Sequence, residues 1–350
     1  MLSDLKNVKT FSIRVDEPAY DESKWSRQAA EIMQTDHHEF TVATDQILDI
    51  MDDVISNMDE PMADSSILPT HIVSKLTRQH VTVALGGDGG DEVFGGYPKY
   101  FAQRWASRLE KIPAPIRKWC MEKPLSLLPS PDGSVLLGEG KVEAFFKSIH
   151  HNYALRNQFW VSPLSPEQLE ALTGRPLFPE TTSPIIERAA EYSGINDIVN
   201  KTMFLDYKIV MQDNFNVKVD RASMLTSLEV REPFMDTELV ELAAQMPSRL
   251  KVKGMETKYL LKRVTEKYYP KKFIYRKKWG FGIPMRKWIS GKLAPQFEEV
   301  LSTENIKDVG LVNPELCRKL LDEHLAGKAD NKAPLWNLFL LHKWYGNYVR

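Results

Sequence analysis

Five residues with strand character, Val81-Thr82-Val83-Ala84-Leu85, run directly into Gly86-Gly87-Asp88-Gly89-Gly90-Asp91-Glu92-Val93-Phe94-Gly95-Gly96-Tyr97. This junction restricts the fold more than any other stretch of the chain. A short apolar run bounded by glycines reads as a buried parallel strand. The glycines then fall at its carboxyl end, where open α/β sheets bind ligands. Glycine lets the main chain approach a ligand closely and adopt positive φ. Exposed N–H groups at the start of the next element can hold an anion. Three carboxylates, Asp88, Asp91 and Glu92, share the loop and would repel a bare phosphate. Mg²⁺ resolves that conflict, because it prefers oxygen ligands and commonly sits on nucleotide phosphates. A solvated acidic turn is the plainer alternative. The spacing matches neither the dinucleotide-binding fingerprint nor the P-loop lysine motif.

The residues before this junction alternate strands with helices. Residues 8–15 read as a strand, closed by the turn residues Asp16, Glu17 and Pro18. Asp21, Glu22 and Ser23 cap a helix through Trp25, Ala29 and Ile32, and residues 38–42 form a second strand. Ile47, Ile50, Met51, Val54 and Ile55 give a helical stripe, and Pro69 opens a further helix through Ile72, Val73 and Leu76. Strands separated by helices imply a parallel sheet. Beyond residue 100 prolines cluster, and from Lys141 onward the stripes are helical without convincing alternation. The expected organisation is an incomplete nucleotide-binding α/β portion over residues 1–110 and a mainly helical remainder over residues 111–350.

At 350 residues the chain suggests two domains or one large one. Its 46 basic and 47 acidic residues leave a net charge of −1, which excludes a globally basic nucleic-acid binder. Two cysteines, Cys120 and Cys317, form no CxxC pair, so neither a disulfide framework nor a zinc ribbon is expected. No apolar run approaches the ~18 residues of a membrane span. The expected location is the cytoplasm, with no nucleic-acid or membrane partner.

One local charge imbalance stands out. Between Arg249 and Lys292 only Glu256 and Glu266 oppose a long series of lysines and arginines that includes Lys278. A triphosphate substrate accounts for such a cluster in a neutral chain, and a cation placed where negative charge builds up is worth ~3–4 kcal/mol in a dry site. The other bases of the cluster read as a solvated helix surface. His37 and His38 point to opposite faces of a strand and make a poor metal site. Ser223 and Ser227 have no histidine partner for nucleophilic catalysis. Glu229, Arg231 and Asp236 read as a structural ion-pair network.

Several motifs, in order, resemble the asparagine synthetase family. The GGDGGDEVFGGYPKY stretch is similar to that family's SGxGxDExFGGY motif. Tyr20-Asp21-Glu22-Ser23 resembles its YDES element, and Asp59-Glu60-Pro61 with Asp64-Ser65-Ser66 its DEP…DSS segment. Asp220-Arg221-Ala222-Ser223-Met224 and Leu228-Glu229-Val230-Arg231-Glu232-Pro233-Phe234-Met235-Asp236 resemble its DxxSM…LExRxPFxD signature. Arg276-Lys277-Lys278-Trp279-Gly280-Phe281 resembles its RxKxGF motif.

The resemblance implies a parallel-sheet ATP-pyrophosphatase fold, of the adenine nucleotide α hydrolase kind, with a mainly helical C-terminal portion. It implies ATP and Mg²⁺ as cofactors, with aspartate and glutamine-derived ammonia as the other reactants. By position, the main chain of Ile13 would hold adenine, and Gly86 and Gly87 would contact the nucleotide. Asp88 would act on the acyl-adenylate and incoming ammonia, Asp91 would bind Mg²⁺ and pyrophosphate, and Lys278 would neutralise charge developing on phosphate. Asp64, Ser65 and Ser66 would line the substrate pocket. Two parts of the family pattern have no match: the glutaminase domain and the SGGxDSS pyrophosphate loop. The expectation is therefore a synthetase domain shortened at its N-terminus, impaired on its own, with the missing segment or glutaminase supplied by another chain. Amidation of another carboxylate, such as a sugar acid or a peptide side chain, and an inactive remnant that binds a partner are the alternatives.

Overall fold

The computed structural model describes residues 8–113, 145, 148–149, 151–176, 183–191, 194–276 and 282–349. By contact the chain forms two compact units that interleave in sequence. The first comprises Met1–Gly87, Gln212–Pro233 and Lys262–Arg350, and the second Asp88–Met211 and Phe234–Leu261. The boundary expected near residue 110 falls inside the second unit.

In the first unit, β1 (Lys9–Val15) and β2 (Asp36–Val42) pair in parallel, with Ile13 opposite Phe40. Helix α1 (Ser23–Met33) makes the crossover between them, as parallel pairing requires. The period-2 pattern sorts the side chains. Thr10 and Ser12 face the side on which their hydroxyls meet the His37 ring, at 2.9 and 3.1 Å. Phe11 lies on the other side, stacked on His38 and Phe40. The two histidines therefore diverge, as their adjacency predicts.

The stripe from Ile47 to Ile55 forms two short helices, α2 (Thr44–Asp49) and α3 (Met51–Ser56), rather than one continuous one. Together with α4 (Ile67–Arg78) they bury Ile47, Met51, Val54, Ile55, Ile67 and Leu68 almost completely. The C-terminal helix Lys332–Tyr348 packs on α3, where the Trp344 indole donates to the Met58 carbonyl at 3.1 Å. Phe339 of that helix stacks on Phe297.

Strand β3 (Val83–Leu85) is shorter than the five-residue run predicts, and it is not buried: Val83 is 40% and Leu85 60% exposed. Its one strand neighbour among the described residues is β4 (Glu229–Arg231), which pairs with it in parallel. Sequence patterning misses β4. Among the described residues the strands form two separate two-stranded parallel ladders, β1–β2 and β3–β4.

The second unit is helical. Pro98 opens α6 (Pro98–Leu109) at the position where its missing N–H costs nothing. Tyr100 and Phe101 of α6 pack with Val199, Met203 and Val252. Val93 and Phe94 of α5 (Gly90–Phe94) pack with Ala243, Phe234 and Leu239. A buried polar network runs through this core. Asp206 is fully buried and receives Lys99 Nζ at 2.8 Å and Asn157 Nδ2 at 2.7 Å. Arg156, also fully buried, donates to the Gln103 side chain at 2.8 Å and to the Ile149 carbonyl at 3.1 Å, and pairs with Glu110. Among the described residues no helix is long and apolar enough to cross a membrane.

Candidate functional site

The candidate residues divide between the two units. In the first, Ile13 sits in the middle of β1, half-buried. Because β1 has a single strand neighbour among the described residues, main-chain groups on its other edge are left for a ligand or a further strand. Gly86 continues the β3–β4 ladder, its N–H donating to the Arg231 carbonyl at 2.8 Å, and the Glu232 carboxylate packs against its Cα. Only its carbonyl is then available to a nucleotide. Gly87, the next residue, is exposed with open space around it.

Asp64, Ser65 and Ser66 form the entry to α4. Asp64 Oδ1 accepts from the Ser66 backbone N–H at 3.0 Å and from its hydroxyl at 2.7 Å, an Asx-type turn that sets the start of the helix. The other oxygen lies 3.4 Å from Lys218 Nζ, and the Lys218 ammonium sits over the Phe215 ring. The neighbouring motifs meet in the same way, since Arg221 pairs with Asp59 at 2.5 Å. The DEP…DSS segment is therefore tied by two ion pairs to the helix Asn216–Met224, which carries DxxSM.

In the second unit Asp88 is half-buried in the turn that leads into α5. Gly89 has φ of +86°, a conformation costly for any residue with a Cβ. Phe234 and Met235 pack on Gly89 and Gly90, so two motifs far apart in sequence make one contact surface. Asp91 follows on α5, and Lys258 Nζ lies 3.1 Å from its Oδ1. The next residue, Glu92, is 2% exposed, and its carboxylate accepts from the Tyr97 hydroxyl at 2.5 Å. Burial pushes the Glu92 carboxyl above the usual glutamate range, against the opposing effect of the Tyr97 hydrogen bond. The same burial, with Glu92 alongside, raises the Tyr97 phenol.

Lys278 lies outside the described residues. Two residues earlier, Arg276 stacks over Trp25 and Phe273 and donates to the Phe273 carbonyl at 2.8 Å. The basic cluster is not uniformly a solvated surface. Lys251 is 3% exposed, hydrogen-bonded to Asn200 at 3.1 Å, and burial pushes its ammonium down to about 8.

Glu229 and Arg231 form an exposed pair, while Asp236 instead caps the helix Thr237–Gln245 by accepting from the Glu238 and Leu239 N–H groups. The expected network is therefore one surface pair plus a helix cap. Ser223 is buried in the helix Asn216–Met224. Cys317 is buried, and burial pushes its thiol up to about 12, consistent with a passive role; Cys120 lies outside the described residues.

No group of three or more His, Cys, Asp or Glu side chains is poised to hold a metal among the described residues. Sequence reasoning missed Lys258, Lys218, Lys251 and the Glu92–Tyr97 pair. Only the last had a local signal, five residues apart in the same motif.

The asparagine synthase family model matches residues 1–346. Asparagine synthetase [glutamine-hydrolyzing] 1 of Bacillus subtilis is 26% identical over 339 residues, which cover 97% of this chain and 52% of that protein. A putative asparagine synthetase [glutamine-hydrolyzing] 2 of Methanocaldococcus jannaschii is 31% identical over 230 residues, 64% of this chain and 41% of that protein. Amidase chyE of Penicillium rubens is 23% identical over 329 residues, 88% and 48% respectively. The chain spans about half the length of the relatives it matches. With the family model matching nearly every residue and the motifs joined by contacts within each unit, the chain belongs to the asparagine synthase family.

Proposed function

We propose that this chain is the synthetase portion of an ATP-dependent amide-forming ligase acting on aspartate, built on the ATP-pyrophosphatase variant of the α/β fold. The observation that carries the reading is the acidic glycine loop at the carboxyl end of β3, within a chain that the asparagine synthase model matches almost throughout. In the proposed reaction an oxygen of the aspartate side-chain carboxylate attacks the α-phosphorus of ATP. The bond to the bridging oxygen breaks, releasing pyrophosphate and leaving β-aspartyl-AMP. Ammonia adds to the acyl carbon, loses a proton, and expels AMP to give asparagine.

Each residue has a proposed part. The Ile13 main chain and Gly86–Gly87 hold the nucleotide, and Asp64, Ser65 and Ser66 shape the aspartate pocket. Asp88 receives the proton that ammonia loses. Lys278 stabilises the negative charge that develops on phosphate and on the tetrahedral intermediate.

Asp91 is the proposed Mg²⁺ ligand. With no three-carboxylate cluster among the described residues, the donor set suits a cation that arrives on the triphosphate and takes one or two protein oxygens, as Mg²⁺ commonly does. Gly96 leaves the room in which the Asp91 carboxylate lies, because a Cβ there would overlap it. When bound, Mg²⁺ supplies charge neutralisation on the leaving pyrophosphate.

Two partners follow from the same reading. The ammonia comes from a glutaminase on another segment or chain, in line with relatives named glutamine-hydrolysing that are about twice as long. Among the described residues β1 and β3 each have one strand neighbour, and their other edges, with Val83 and Leu85 exposed, fit an extended segment supplied by another segment or chain.

The test is release of AMP and pyrophosphate from ATP with aspartate and ammonia, measured for this chain alone and for this chain joined to the N-terminal half of a longer relative. Asp91→Asn and Lys278→Ala are each expected to lower turnover at least ~100-fold. Near-normal synthesis in both variants would sink the site assignment. Pyrophosphate release with a different carboxylate in an acceptor screen would move the substrate away from aspartate, and failure to bind Mg·ATP would favour an inactive binding partner.

A further inference from the structure

Lys258 is placed with unusual care for a lysine whose ammonium is only half-buried. Its backbone takes φ of +52°, in the left-handed region that a non-glycine residue enters at a cost. Its backbone N–H donates to the Gly95 carbonyl at 3.1 Å, at the turn that closes α5. Its side chain then lies along Gly96, where any Cβ would overlap both the Asp91 carboxylate and the Lys258 Cε. The ammonium ends 3.1 Å from Asp91 Oδ1, with the lysine 27% and the aspartate 19% exposed. A strained backbone, a hydrogen bond and a missing Cβ thus converge on one ion pair. Both side chains are partly exposed while Asp91 Oδ1 itself is buried, so a stronger cation would enter from the exposed side of the carboxylate.

Taking Asp91 as the metal-binding carboxylate proposed above, we propose that Lys258 is its resident counter-cation, and that a divalent cation must displace the lysine to bind. The ammonium holds the carboxylate in place while no metal is present and weakens the hold of Asp91 on free metal. A divalent ion carries twice the charge of the ammonium and binds carboxylate oxygen directly, so it can win the competition. The competition sets a threshold: a bare cation at low concentration is rejected, and one delivered with additional ligands is accepted.

The probe is Mn²⁺ alone, titrated into the full chain without nucleotide or aspartate and followed by the electron paramagnetic resonance of the free ion. Lys258→Met removes the competing charge and is expected to tighten Mn²⁺ binding about fivefold, the scale of one partly exposed ion pair. Lys258→Arg keeps a cation and stays within about twofold of the parent. Lys258→Gly also relieves the backbone, so it is expected to tighten Mn²⁺ binding and raise the melting temperature together, which covers the case in which the Met variant fails to fold. The gain must vanish when Asp91→Asn is added to Lys258→Met. No tightening in a folded Met or Gly variant, or a gain that survives loss of Asp91, overturns the proposal. Asparagine formation does not enter these titrations, so the role of Lys258 and the assigned reaction fail separately.

Discussion

The two units differ in how much charge they bury. In the second unit the charged groups are inside. Asp206 and Arg156 are fully buried and hydrogen-bonded to Lys99, Asn157 and Gln103. The first unit buries mainly hydroxyls and imidazoles (Ser74, Thr77, His71 and His342) with one lysine, Lys218, and among the described residues each of its parallel ladders has two strands, with Val83 and Leu85 exposed. Parallel sheets normally have both faces covered. The difference teaches that the second unit holds paired charges in a polar lock, while the first, among the described residues, presents strand edges suited to something further.

The largest expected effect tests the polar lock. Asp206→Ala strands the Lys99 ammonium, 12% exposed, beside a buried cavity. Urea unfolding is expected to show a loss of about 3–5 kcal/mol. A loss below ~1 kcal/mol would mean that the buried network is incidental, and the contrast between units would fall.

A second, smaller effect has the opposite sign. The Lys251 ammonium sits at about 8 in the folded chain, below its ordinary 10.5, because burial opposes the charge. Between those two values the unfolded chain holds the proton that the folded chain releases, so stability rises with pH across that window. Below about 8 both states are protonated and the cost is constant. Lys251→Met is therefore expected to stabilise the chain at pH 7 by about 1–3 kcal/mol, with the advantage shrinking as pH rises toward 10.5. Thermal melts of both proteins at pH 7 and pH 10 measure it. An unchanged difference would show that the buried ammonium carries no net cost.

The smallest effect belongs to the open edge. Leu85→Lys, at a side chain 60% exposed, is expected to leave stability within about 0.5 kcal/mol. It is also expected to suppress self-association in sedimentation velocity, because charge on an edge strand discourages pairing. A loss of several kcal/mol would show that Leu85 is packed in solution and that the edge is closed.

Much of the first unit was legible in the sequence. The apolar alternation of β1, the helical spacing through Ile47 and Ile55, and the run into Gly86 each report local geometry. The break between α2 and α3 at Ile50 was not, since the apolar stripe continues across it. Strand β4 was hidden for a different reason. It has three residues, and the charged Glu229 and Arg231 flank Val230, so no run of alternation can form. The candidate site was legible where residues crowd into one motif, as from Asp88 to Gly96. Lys258 was not, because its importance lies in a backbone conformation and in the space left by Gly96. Burial of Lys251 reflects contacts with the distant Asn200, to which local charge counting is blind.

The interleaving of the units limits how this chain can be divided. The units alternate along the chain at Gly87–Asp88, Met211–Gln212, Pro233–Phe234 and Leu261–Lys262. No single cut releases either unit as one continuous polypeptide. A library of N- or C-terminal truncations should therefore yield no fragment that folds as one of these units, whereas a permuted gene with new termini in an exposed loop keeps both intact. Exchange between relatives faces the same restriction: a crossover at one point splits at least one unit, so the segment that can be traded as a whole is the entire chain.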